Sequence, residues 1–386
     1  MILNAILGSL ALLSLALLLW QWLIARRFPL HRRVVETSPA EAQPGVTLLK
    51  PVKGCDPATE DCLRSWFTQE YAGPVQILFG VATAEDPGCG IIRKLLLEFP
   101  AADAQLLICG PLLGANAKVS KLVELERLAK HDLLVISDAD VRVPPDLLAN
   151  LVVPFHRKAG VSPGLVCCLY RLANPSTPAM EWEAVAINAD FWSQVLQSQS
   201  LRPIDFALGA VMATRRGLLA EIGGFTALAD CLADDYQLGH RIARRGHRIA
   251  ICPVVVECWS APMGWAEVGK HQLRWARTIR ICQPLPYFFS ILSNPTLWPL
   301  LWLAVRPTAW VCAFAVVCWA FRVFTARDLA QRLIQRPPPL GYSWLAPVKD
   351  LLQAAIWLLA FLGNHIEWRG VRMRLRRDGT LEREVK

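Results

Sequence analysis

The chain has 386 residues, 54% of them hydrophobic and 19% charged, and its 41 Lys+Arg against 32 Asp+Glu leave a formal charge of +9. So small a charged fraction excludes an intrinsically disordered protein, while a mean hydropathy of +0.32 with 15 Trp excludes a purely soluble one. The 12 cysteines are scattered, several inside apolar runs, and no CxxC occurs. A zinc site, a thioredoxin motif and a secreted disulfide framework therefore have no support, and buried free thiols in a reducing compartment are expected.

The first element is an uncharged apolar stretch over residues 2–24. At 1.5 Å per residue it is long enough for a hydrocarbon core of about 30 Å. No basic segment precedes it and no A-x-A-like site closes it, so it reads as a retained anchor (1–25) rather than a signal peptide. Arg26, Arg27, His31, Arg32 and Arg33 follow, which by the positive-inside bias places this end, and the domain after it, in the cytoplasm.

Residues 46–50 (VTLLK), stopped by Pro51, read as a buried strand, 59–69 as a helix, and 75–82 as a second strand. Next come a helix over 91–99, a strand over 105–109, a helix over 119–129 and a strand over 133–137 (LLVIS). This alternation predicts an α/β domain with a mainly parallel sheet over 45–260. Ligands of such sheets bind beyond the carboxyl ends of the strands. Those ends here carry Lys50 and Lys53, Glu85 and Asp86, and Asp138 and Asp140.

In SDADVRV, Asp138 and Asp140 stand at i and i+2 after an apolar strand. Such a pair offers hard oxygen ligands to Mg²⁺ or Mn²⁺, ions that also bind phosphate oxygens. Alone it equally describes a solvated turn. Asp86 before Pro87 is by itself turn chemistry, and Asp234 with Asp235 suits any helix N-terminus. HQLRWARTIR (residues 271–280) mixes bases with Trp275. It fits an interfacial amphipathic helix within 261–285, and equally a set of guanidinium groups clamping a pyrophosphate.

Two late apolar stretches, 286–305 and 308–326, are separated by Arg306 and Pro307 and suggest a membrane hairpin (286–326). A last stretch, 351–363, bordered by Lys349 and Asp350, is short for a crossing, so 343–363 reads as a crossing or re-entrant segment. The remainder, 364–386, is a basic cytoplasmic tail with Arg369, Arg372, Arg374, Arg376 and Arg377.

Together these segments resemble the ceramide glucosyltransferase family (glycosyltransferase family 21) and its bacterial relatives, including transferases associated with hopanoid lipid biosynthesis. The likeness is collinear from about residue 46 to 280. It runs through LLKPVKGCDP, the EDP of Glu85–Asp86–Pro87, GANAKVSKL, SDADVRV, LADDY and HQLRW. The resemblance implies a Rossmann-like GT-A domain flanked by N- and C-terminal transmembrane helices. It further implies an inverting transfer from a nucleotide diphosphate-sugar, foremost a UDP-sugar, to a lipid hydroxyl of ceramide or a hopanoid.

Carried over by position, Asp86 contacts the nucleotide, Asp138 and Asp140 hold Mg²⁺ or Mn²⁺ and the diphosphate, and Asp235 is the general base. Arg274 and Trp275 close the site, while Lys50, Asn116 and Lys118 join the donor contacts. His271 stands where the family has Gln or Arg. The implied partners are the donor, a lipid acceptor and the membrane, with no nucleic acid, and the implied location is a bacterial inner membrane. The alternatives are a processive polysaccharide synthase and a non-catalytic lipid-binding scaffold on the same fold.

Overall fold

The computed structural model describes residues 1–33, 43–156, 162–368 and 371–383; Arg369 of the basic tail lies outside them. The apolar runs become the strands β1 (Val46–Pro51), β2 (Val75–Val81), β3 (Asp103–Ile108) and β4 (Leu133–Ser137). Four further strands follow: β5 (Val141–Arg142), β6 (Leu165–Leu172), β7 (Val211–Arg215) and β8 (Ile249–Cys258). They form one sheet in the order β3-β2-β1-β4-β7-β6-β8-β5.

The first four strands in that order are mutually parallel. β7 runs antiparallel between β4 and β6, and the other half also holds the parallel pair β6–β8 and the antiparallel edge pair β5–β8. β1 is flanked by β2 on one side and β4 on the other. Chain order therefore reverses there and opens a crevice at the strand ends.

Every residue of β1 and β4 is buried, because helices cover both faces and period-2 side chains feed two cores. Leu49, Leu78 and Ile136 pack with Val119, Leu122 and Leu125 of the helix Ala117–Arg127. Leu48, Phe79 and Val135 pack on the opposite face with Ile92 and Leu95 of the helix Gly88–Glu98. The helix expected over 59–69 stops at Arg64. There Ser65 Oγ donates to Cys62 O and Gln69 Nε2 to Ser65 O, side-chain bonds that compete with the helical ladder. All twelve cysteines are free thiols.

Among the described residues, three helices are long and apolar enough to cross a membrane: Ile2–Arg27, Ala309–Ile334 and Gly341–Phe361. The first leg expected for the hairpin is a broken pair, Pro284–Ser293 and Leu297–Val305, bent by 54°. Asn294 sits at the break, where its Oδ1 accepts from Thr296 N and Leu297 N. The helices Ile2–Arg27 and Ala309–Ile334 run side by side in the same direction. Leu7 and Ala11 pack near Val311, and Trp22 Nε1 donates to Asp328 Oδ2 at 2.8 Å.

The late helix spans Leu340–Phe361 and takes Lys349 and Asp350 inside it, so it is longer than the apolar stretch after residue 350 suggests. Its charges are not at a membrane border but buried against Asp190 and Arg322. Near its start Tyr342 Oη donates to Ala184 O at 2.6 Å, and just past its end Asn364 Oδ1 accepts from Arg280. Its start therefore touches the domain that holds the large sheet, and its end the helix Trp265–Cys282. The basic stretch after it folds into a small antiparallel sheet of β9 (His365–Trp368), β10 (Val371–Leu375) and β11 (Leu381–Arg383). Its apolar side chains Ile366, Met373, Leu375 and Leu381 close on Leu232.

Candidate active site

Beyond the end of β4, Lys118 holds the centre of an acidic cluster. Its Nζ lies 2.8 Å from Asp138 Oδ1 and 2.9 Å from Asp234 Oδ2. Lys118 reaches that position because Asn116 caps the helix Ala117–Arg127. Asn116 Oδ1 accepts from Lys118 N and Val119 N, and its Nδ2 donates to Cys231 O at 2.8 Å. Asn116, expected among the donor contacts, is fully buried; what it visibly does is join two loops that meet in the crevice. Burial alone would lower the Lys118 ammonium, but Asp138, Asp234 and Asp235 outweigh it and hold the group above its usual value.

Asp235 opens the helix Asp234–Arg244, and its Oδ1 accepts from Tyr236 N at 2.8 Å. Burial and the adjacent Asp234 push its carboxyl up to about 6, against the pull of Lys118. Residues 209 and 210 link it to the loop that carries Asp138. Asp138 N donates to Ala210 O at 3.4 Å, and a Cβ placed on Gly209 would fall 2.7 Å from Asp235 Oδ2. A side chain at 209 would therefore push the Asp235 carboxylate from its place.

Asp140 faces solvent in the crevice, yet the protein around it and the like charge of Asp138 push its carboxyl up to about 6. Trp259 N, following β8, holds the loop by donating to Asp140 O at 2.9 Å. Lys50, also expected among the donor contacts, is fully buried. Its Nζ donates to Ser137 Oγ at 3.0 Å and Asp138 O at 2.5 Å, and it lies 5.0 Å from the Trp66 ring centroid. It anchors the backbone that presents Asp138. Burial brings its ammonium down to about 8, with Asp140 and Asp138 opposing that shift.

Asp86 lies over the neighbouring strand ends. Its two oxygens accept from Gly54 N at 2.9 and 3.0 Å, and Oδ1 also accepts from Gly88 N at 2.9 Å. It fastens the loop after β1 to the loop after β2, and thereby shapes that end of the crevice.

The HQLRW residues lie on the helix Trp265–Cys282. His271 Nδ1 is 2.6 Å from Glu183 Oε1, which also accepts from Gln272 Nε2 at 2.8 Å. An aromatic run joins this helix to the acidic cluster. The His271 and Trp275 centroids are 4.7 Å apart, Trp275 and Phe191 6.0 Å, and Phe191 and Tyr170 5.3 Å. Burial, with Cys258, Asp235, Asp138 and Glu183 adding to it, holds the Tyr170 phenol well above its usual value. Tyr236 Oη closes the other end by donating to Cys282 O at 2.9 Å. Arg274 lies one turn along, in a cavity of about 270 Å³ with Arg277 and Arg372.

Asp138, Asp234, Asp235 and Lys118 are thus brought together, with Asp140 on the same loop as Asp138. Asp86 lies on an adjoining loop, and Arg274 faces the C-terminal sheet. Sequence reading missed Tyr170, Glu183 and Gly209, since each is an ordinary residue of an apolar strand, a helix or a loop until folding sets it beside a carboxylate or an imidazole. It also missed the C-terminal sheet, whose Leu381 N donates to Asp230 O at 2.7 Å and whose Gly379 O accepts from Leu232 N at 3.3 Å. That contact braces the loop leading into Asp234.

The family model for Glycosyl transferase family 21 matches residues 6–381. A relative described as ceramide glucosyltransferase 3 of Caenorhabditis elegans is 22% identical over 356 residues, covering 89% of this chain and 74% of its own length. The ceramide glucosyltransferase of Candida albicans is 34% identical over a shorter stretch, 34% of this chain and 26% of its own. Among solved structures, the mannosyltransferase PcManGT of Pyrobaculum calidifontis, in complex with GDP-Man and Mn²⁺, superposes with a TM-score of 0.53. It is 20% identical, and the match covers 92% of this chain and 99% of that one. The α/β GT-A architecture expected from the sequence is the one the chain adopts.

Proposed function

The chain belongs to glycosyl transferase family 21, and we propose that it transfers a sugar from a nucleotide diphosphate-sugar to a hydroxyl of a membrane lipid, with inversion at the anomeric carbon. The observation that carries this reading is the Lys118-centred cluster of Asp138 and Asp234 beside Asp235, at the strand ends. In the reaction the lipid oxygen bonds to the anomeric carbon, the bond from that carbon to the diphosphate oxygen breaks, and the hydroxyl proton passes to an Asp235 oxygen. A carboxyl pushed up to about 6 is a stronger base than an ordinary aspartate while still ionised near neutral pH. One base on the face opposite the leaving group suffices for inversion, and no covalent intermediate is needed.

The donor set suits a hard divalent ion. Asp138 and Asp140 offer carboxylate oxygens two residues apart, and the like charge of Asp138, which adds to burial in raising Asp140, is what a cation would relieve. Among the described residues no third His, Cys, Asp or Glu joins them, which leaves positions for diphosphate oxygens. Mg²⁺ or Mn²⁺ bound there would neutralise the charge of the departing diphosphate. The Mn²⁺ and GDP-Man of the solved neighbour support that assignment. Lys118 steadies Asp138, and Lys50 fixes the loop behind it.

The acceptor is a lipid because the helix Trp265–Cys282, which the aromatic run Tyr170–Phe191–Trp275 joins to the site, packs through Ala276 on Ala360 of the apolar helix Leu340–Phe361. Exposed Trp265, Phe288 and Phe289 continue the apolar surface. The relatives' names favour ceramide, with a polyhydroxylated hopanoid as the other acceptor. The catalytic domain lies on the cytoplasmic face of the membrane, on the side of Arg26 and Arg27, which end the first helix. The helix Leu340–Phe361 rests along that interface, since its start touches the domain and its end the helix Trp265–Cys282.

The test is to reconstitute the protein and supply a panel of nucleotide sugars, Mn²⁺ and either acceptor, then weigh the extracted lipids by mass spectrometry. One sugar added per lipid is expected. A water-soluble polymer, or no donor consumption with any acceptor, would overturn the proposal.

A further inference from the structure

We infer that the cavity between the helix Trp265–Cys282 and the C-terminal sheet binds the phosphate-bearing headgroup of an anionic membrane lipid. The cavity measures about 510 Å³ and is lined by Arg280, Arg374 and Arg377, with Asn364, His365, Phe361 and Leu362 among its other walls. No carboxylate is among the lining residues. The nearby bases make close ion pairs, whereas Arg374 of the cavity meets Glu382 across the strands only at longer range. Arg376 pairs with Glu382 at 2.8 Å and Lys270 with Glu367 at 3.0 Å. Among the described residues neither Arg374 nor Arg377 has such a partner within 4.0 Å.

Three guanidinium groups converging on one space, drawn from two elements, give a planar, multidentate fit to phosphate oxygens. Arg280 is held in place by its bond to Asn364 Oδ1 and by the Phe361 ring, 5.6 Å away. Its orientation is set before any ligand arrives.

The apolar half of the wall identifies the source of the phosphate. Phe361 and Leu362 end the apolar helix Leu340–Phe361 and are exposed, as are Phe288 and Phe289 of the helix Pro284–Phe289. The Phe288 and Phe361 centroids lie 6.4 Å apart. Acyl chains can run along this surface while the headgroup sits among the arginines, at the depth where basic side chains meet anionic lipid. A ligand there would touch the motif helix, the last apolar helix and the sheet that braces the loop before Asp234. The inference stands apart from the transferase reading, because occupancy is measured without turnover.

Native mass spectrometry of the full chain in detergent tests it, with phosphatidylglycerol and phosphatidylcholine in separate titrations. Both lipids carry a phosphate, but only the first has net negative charge. Phosphatidylglycerol should be retained roughly tenfold more tightly, and the Arg374→Gln/Arg377→Gln variant should lose that preference. Arg376→Gln should keep it, and Arg374→Lys/Arg377→Lys should keep part, which separates lost charge from a misfolded sheet. Equal retention of the two lipids, or a preference that survives the double Gln variant, would overturn the inference. Displacement of phosphatidylglycerol by excess inorganic phosphate would do so as well, by assigning the cavity to free phosphate.

Discussion

Two clusters of buried ions sit in this chain, and their difference separates scaffold from chemistry. On the membrane side, Arg322 donates through Nε and one terminal nitrogen to both oxygens of Asp350 at 2.9 Å, and that nitrogen also donates to Asp190 Oδ2 at 2.8 Å. Lys349 adds a 2.6 Å bond to Asp190. Two cations meet two anions, and no side chain of the four is more than 8% exposed. At the strand ends, Lys118 and buried Lys50 face Asp138, Asp140, Asp234 and Asp235, and Asp138 is 40% exposed. The first cluster is balanced and closed, so it can only hold helices to the domain. The second carries excess negative charge toward solvent, which suits the cation and substrate proposed for it.

The comparison breaks first at Asp235. Asp235→Asn keeps the shape and removes the base, so transfer should fall by roughly 10³-fold while donor affinity stays within a few-fold. Initial rates and donor titration on the reconstituted protein check both, and unchanged transfer would remove the assignment. Next in size is Arg322→Met, which leaves the two buried carboxylates Asp190 and Asp350 to Lys349 alone. Unfolding should become easier by about 3–5 kcal/mol, with most of that recovered when Asp350→Asn is added, since Lys349 and Asp190 then remain as a balanced pair. Thermal unfolding in detergent measures it, and a small loss for the single variant would mean the cluster is wetter than its geometry shows.

A third effect is the acid limb of the rate. The Asp235 carboxyl is raised to about 6 and the base must be ionised, so kcat/KM should hold above that pH. Below it the rate should fall roughly tenfold per pH unit. A profile flat down to about pH 5 would point to a base with an ordinary carboxylate pKa. The smallest effect is structural. Asn116→Ala removes the cap over Lys118 N and Val119 N and should cost about 1–2 kcal/mol. It should also weaken activity by loosening Lys118, and urea unfolding with parallel rate measurements reads the two together.

Much of the parallel half of the sheet was legible because strand burial on both faces leaves a near-continuous apolar run, as in 46–50 and 133–137. Asp138, Asp140 and Asp235 were legible as motif positions, the first two from their spacing after a strand. Lys50 and Asn116 were visible only as polar groups near strand and helix ends. Their buried roles depend on partners 87 and 115 residues away, Ser137 and Cys231. Lys349 and Asp350 read as a border because hydropathy cannot register that Arg322 and Asp190 neutralise them.

The order of apolar and polar residues therefore determined the α/β alternation, the apolar helices and the acidic motifs, since periodicity and local turn chemistry act within a few residues. Tertiary structure alone decided which acids gather around Lys118, that Glu183 meets His271, and that a run of arginines folds into a sheet bracing the loop before Asp234. Those outcomes depend on side chains converging from distant segments, and pairing across space leaves no local trace in the chain.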